Sequence, residues 1–133
     1  MKYNEIILKD ENGEEVVLKF RLTSGNAQEL ERKNNNISII NYLQNESMTM
    51  VVTMIRYMLM WNEPNIGEKK AQEIYDLLID NGWTYKSIIQ DIIYETLVTS
   101  GFLERTDWEE MKRQTEEITK KMKEESKKAL ENI

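Results

Sequence analysis

The stretch YNEIILKDENGEEVVLKFRL, residues 3–22, decides the fold. Ile6 and Leu8 share one face of an extended segment, and Val16, Leu18, Phe20 and Leu22 recur on alternate positions, the period-two pattern of strands with one buried side. Between the two runs lie Asp10, Glu11, Asn12 and Gly13, and an Asn-Gly pair tolerates the positive φ angles that tight hairpin turns require. The segment is therefore read as an antiparallel β-hairpin. Two strands alone are marginal in water, so the apolar face must lie on helices or the sheet must extend across a subunit boundary, which makes the hairpin edges candidate assembly surfaces.

Beyond Leu22 the apolar period becomes helical, and Pro64 is the one proline of the chain. Thr23 or Ser24 can cap a short helix through about Arg32, because their hydroxyls accept bonds from the free amides of the first turn; Lys33 and Asn34 to Asn36 stop it. A second short helix is expected over residues 37–44. Ser47 then caps an apolar helix through Trp61, and residues 62–67 break the chain around Pro64. Ala71, Ile74, Tyr75 and Leu78 form an i, i+3, i+4, i+7 stripe that ends at Gly82 and Trp83. Thr84 can cap a further helix whose wide buried face holds Tyr85, Ile88, Ile89, Ile92, Ile93, Thr96 and Leu97, ending at Gly101 and Phe102. In both endings a glycine is followed by an aromatic, as expected where the residue after a left-handed cap packs back on the last turn.

A composition shift falls near Leu103. Residues 104–133 hold nine acidic and eight basic side chains, whereas residues 1–103 hold 15 acidic and 10 basic. Thr106 with Glu109 makes a capping box, and Glu109/Arg113, Glu116/Lys120, Glu117/Lys121 and Glu124/Lys128 are i, i+4 pairs in the favourable order, so a long charged terminal helix is expected. The reading is an α+β, mostly α chain: an N-terminal β-hairpin and a compact helical body in residues 1–103, then a C-terminal helix in residues 104–133, with four to six helices in all. Leu18, Phe20, Val51, Ile55, Ile74, Leu78, Ile89 and Ile92 are the expected core.

Composition narrows the chemistry. The 133 residues contain no cysteine and no histidine, which removes disulfides, thiolate nucleophiles, imidazole bases and the usual zinc ligand sets. A net charge of -6 gives no support to a phosphate-binding surface, so nucleic acid is not an expected partner. Glu14/Glu15, Glu109/Glu110 and Glu116/Glu117 could be imagined as acid and base, but adjacent helical residues point apart, and no phosphate-binding, dinucleotide-binding or nucleophile-elbow motif occurs. No cofactor and no enzymatic activity are expected. Residues 1–13 lack the apolar stretch of a signal peptide. Residues 50–61, broken by Thr53 and Arg56, fall short of the roughly 20 apolar residues of a membrane span, so a cytoplasmic protein is expected.

Two features could bind a partner. Met48, Met50, Met54, Met58 and Met60 fall in one helix, and methionine is unbranched and polarizable, so Met50, Met54 and Met58 could form an adaptable face for an apolar client; the alternative is a central core helix covered on every side. In the tail, Trp108, Met111, Thr115, Ile118, Met122, Glu125 and Ala129 alternate three and four apart. Trp108, Met111, Ile118 and Met122 are the candidate docking stripe, for a partner helix, for the body or for self-association. Polar Thr115 and Glu125 inside that seam disfavour stable self-association through the tail alone.

The order of elements over residues 1–103, with the segments EEVVLKFRLTSGNAQELE (residues 14–31) and IYDLLIDNGWTYKSIIQDIIYETLVTSGF (residues 74–102), resembles the tail assembly chaperones of long-tailed phages and prophages of Gram-positive bacteria. The resemblance implies a viral, non-enzymatic protein of the bacterial host cytoplasm. Such a protein binds the tape measure protein, the long helical chain that sets tail length, keeps it soluble and helps deliver tail tube subunits around it. Some members of that family are also made in a longer, frameshifted form. Other readings are a structural tail or connector component of the virion and a small host helical adaptor module.

Overall fold

The computed structural model describes residues 2–131. Two strands, β1 (Asn4–Lys9) and β2 (Glu15–Phe20), pair antiparallel with Ile6 opposite Leu18, Ile7 opposite Val17 and Leu8 opposite Val16. Gly13 alone takes a positive φ in the turn, at 75°, and donates its N–H to the Asp10 carbonyl at 3.0 Å, while the Asp10 N–H bonds the Glu14 carbonyl. The connection is thus a type I turn closed by a glycine bulge, and Asn12 does not need the left-handed conformation that a two-residue turn would ask of it. The Asp10 carboxylate fixes the loop by accepting from the Asn12 and Glu14 amides, both at 2.9 Å.

The helices are α1 (Ser24–Lys33), α2 (Ile39–Gln44), α3 (Met48–Leu59), α4 (Glu68–Asp80), α5 (residues 85–99) and α6 (Arg105–Glu131). Side chains cap most of their starts: Thr23, Ser38, Ser47 and Thr84 accept from the amides of Asn26, Asn41, Met50 and Ser87, and Thr84 with Ser87 completes a reciprocal capping box. Asn35 and Asn36 take left-handed φ angles of 58° and 59° where α1 stops, as asparagine does more readily than other side chains. The chain divides into two compact units, Met1–Phe102 and Leu103–Ile133.

The first unit is a hairpin laid on a helical body. Leu8, Leu18, Phe20 and Leu22 bury one side of the hairpin, and all eight expected core residues are buried together with Met54, Met58, Ile88, Ile93 and Leu97. The α5 helix departs from the expectation of a regular helix. Its middle, Ile88–Tyr94, is π-helical between α-helical Tyr85–Ser87 and Glu95–Thr99. The wider turn brings two adjacent isoleucine pairs, Ile88 with Ile89 and Ile92 with Ile93, into burial on one element. The Asn4 amide reaches into this region, donating to the Asp91 carbonyl and to the hydroxyl of Thr96, a buried polar side chain, at 3.3 Å each.

Both glycine–aromatic endings are Schellman caps. Trp83 N–H bonds the Leu78 carbonyl and Gly82 N–H the Ile79 carbonyl; Phe102 and Gly101 repeat the pattern on Leu97 and Val98. Gly82 has φ 90° with open space where a Cβ would stand, so Gly82→Ala costs backbone strain alone. The expected loss, read by urea unfolding, is about 1–2 kcal/mol. An unchanged midpoint would mean that the cap relaxes into another geometry.

Candidate partner-binding surface

The two sequence candidates separate cleanly. Met50, Met54 and Met58 are fully buried, because α3 packs against β2, α1, α4 and the π segment of α5. They form the centre of the core and not a client face, and of the methionines of α3 only Met48 is exposed. Arg56, the cation of that helix, donates from Nε to the Ile66 carbonyl at 3.1 Å and holds its guanidinium 5.7 Å from the Tyr57 ring centroid, which ties the loop before α4 to α3.

The hairpin edges are partly closed. In an antiparallel ladder the backbone groups of alternate residues face outward, here Glu5, Ile7 and Lys9 on β1 and Glu15, Val17 and Lys19 on β2. The Asn81 side chain takes both Lys9 backbone groups, accepting from N–H at 2.9 Å and donating to C=O at 3.0 Å. Trp61 Nε1 donates to the Lys19 carbonyl at 3.0 Å, and its ring stacks on Tyr3. Each edge therefore carries a plug at one end, which shortens the backbone that an added strand could use. Beside β2 a groove floored by Val16, Leu18, Ile74 and Leu77 runs along α4 with an acidic rim that includes Glu63, Glu73 and Asp80. No group of three or more acidic side chains among the described residues is close enough to hold a metal ion.

The α6 helix is different in kind. Over its 27 residues Trp108 alone is buried, and Met111, Ile118, Met122 and Leu130 are exposed at 42%, 59%, 63% and 72%. Three of the four stripe residues, Met111, Ile118 and Met122, thus lie in water on one helical face; Leu130, also exposed, belongs to no position of the sequence seam and lies roughly 100° round the helix from it. Thr115, inside the stripe, turns its hydroxyl onto the Met111 carbonyl at 2.9 Å, so this polar side chain is satisfied within its own helix.

Charged side chains cover the rest of the helix. Arg113 bonds Glu117 at 3.0 Å and also pairs with Glu110, one turn back at i−3, instead of the expected Glu109. Arg113 beside it holds the Glu110 carboxyl below the usual carboxylate range. Both groups are exposed, and such pairs contribute little to stability. The Lys112 ammonium stands 5.8 Å from the Trp108 ring centroid, a cation–π contact within the helix. What α6 offers is an exposed apolar strip in which two unbranched, adaptable methionines stand beside Ile118, with charged side chains over the rest of the helix.

Comparison with protein-family models, with curated proteins and with solved structures gives no match to this chain. Among the described residues no helix is long and apolar enough to cross a membrane.

Proposed function

We propose that this protein is a non-enzymatic tail assembly chaperone of a long-tailed phage or prophage, which binds the tape measure protein in the bacterial host cytoplasm and assists assembly of tail tube subunits around it. The observation that carries the reading is the exposed strip of Met111, Ile118 and Met122 on α6. A long amphipathic client exposes apolar stripes before assembly, and an apolar helical strip meets such a stripe by helix-on-helix packing. Methionine suits it to clients of varied shape, since its thioether side chain repacks without a fixed rotamer. The net charge of -6 keeps a loaded complex dispersed.

The reading is tested by co-expressing the chain with the tape measure protein of the same phage or prophage. The soluble fraction of the tape measure protein is expected to rise, and the two chains to co-purify. If both chains are folded and no complex forms, the chaperone reading is wrong.

A further inference from the structure

The α6 helix is polar along its length as well as around its circumference. Residues 104–117 carry six acidic and three basic side chains, whereas residues 118–131 carry three acidic and five basic. The first half is an anionic rod and the second a cationic one, joined near Ile118, with the apolar strip running through both. We propose that the α6 helices of two copies of this chain pair antiparallel through that strip, so that each acidic half lies along the basic half of the other copy. The pair uses the same strip as the client proposed above, so it describes the chain before a client is bound, and a client displaces the second copy.

Charge complementarity selects both the occupant and the orientation. A parallel pair would set acidic half on acidic half and basic on basic, a net repulsion within each half, while the antiparallel pair sets halves of opposite net sign together and opposes the two helix dipoles. The seam supports one register. With Ile118 of each copy opposite Met122 of the other, Met111 meets Ala129 and Thr115 meets Glu125, so a large side chain faces a small one and the polar positions share a layer. Those polar positions make the pair weak, and electrostatics supplies what the seam lacks.

An acidic start and a basic end also suit the dipole of a single helix, so the test must report on the second copy. The chain has no cysteine of its own. Full-length Met111→Cys and Ala129→Cys chains, mixed under mild oxidation, are expected to yield the mixed disulfide several-fold over either homodimer. Sedimentation of the unmodified chain is expected to show an average mass rising with concentration from 15.9 kDa toward twice that value. Association should fall several-fold at about 1 M salt, where the screening length is about 3 Å. Ile118→Lys, a substitution at an exposed position that leaves the body untouched, should hold the chain at the monomer mass. Homodimers of Met111→Cys as abundant as the mixed species would replace the antiparallel pair with a parallel one, and a mass fixed at 15.9 kDa across the concentration range would overturn the proposal.

Discussion

Met54→Ala is expected to lower the free energy of unfolding by about 2–5 kcal/mol, and Met58→Ala by a similar amount. Both side chains are completely buried on α3, between the hairpin and the helices around it, and the truncated side chain would leave a cavity that rigid neighbours fill only in part. Against a total stability of about 5–15 kcal/mol, typical of a single domain, either change leaves the first unit marginal. Met48→Ala, at the exposed start of the same helix, should stay within about 0.5 kcal/mol of the parent. The check is chemical denaturation of the three variants side by side. Were Met54→Ala to unfold like the parent while losing the client, α3 would belong to the binding surface after all.

Ile118→Lys combined with Met122→Lys is expected to have the opposite profile. Both positions are exposed, so the thermal midpoint should not move, yet each would lose an apolar contact worth about 1.5–3 kcal/mol if fully buried by the client. Since about 1.4 kcal/mol is tenfold in affinity, client binding should weaken by at least that factor. Exchanging Arg113 for glutamine, by contrast, removes only exposed ion pairs with Glu110 and Glu117 and should change binding little. A doubly substituted chain that solubilises the tape measure protein as well as the parent does would remove α6 from the proposed function.

Residue pattern and structure agree where the signal is local. The hairpin was legible because a period of two on both sides of a turn fixes which side chains face inward, and Leu8, Leu18 and Phe20 are buried accordingly. The two glycine–aromatic endings were legible because a Schellman cap involves only a few consecutive residues. The π segment was not: over seven residues, isoleucines at 88, 89, 92 and 93 fit a broad α-helical face as well as a π-helical one, and backbone bonding decides between them. The edge plugs were invisible for another reason. Asn81 and Trp61 meet strand residues 72 and 42 positions away, and nothing in the local pattern of either residue announces that contact.

The candidate surface was legible in half. Spacing of three and four placed Met111, Ile118 and Met122 on one face of α6, but periodicity does not say whether a face is covered. The same limit applied to α3, where apolar side chains nearly all round a methionine-rich helix suit an adaptable surface or a crowded core equally. Neighbours on several sides made it core. Glu110 replaced Glu109 as the partner of Arg113 because i,i+3 and i,i+4 partners are both within reach on a helix, and side-chain orientation selects between them.

On the proposed function, the exposed strip of α6 holds the tape measure protein. The decisive comparison is amide hydrogen exchange of the full chain in complex with that protein and alone, the free chain kept dilute enough to be monomeric. Added protection across residues 111–122 is expected on complex formation, with unchanged exchange in α3, whose side chains pack in the core. Protection centred on the β-hairpin or on the groove between β2 and α4, with α6 exchanging as it does alone, would contradict it.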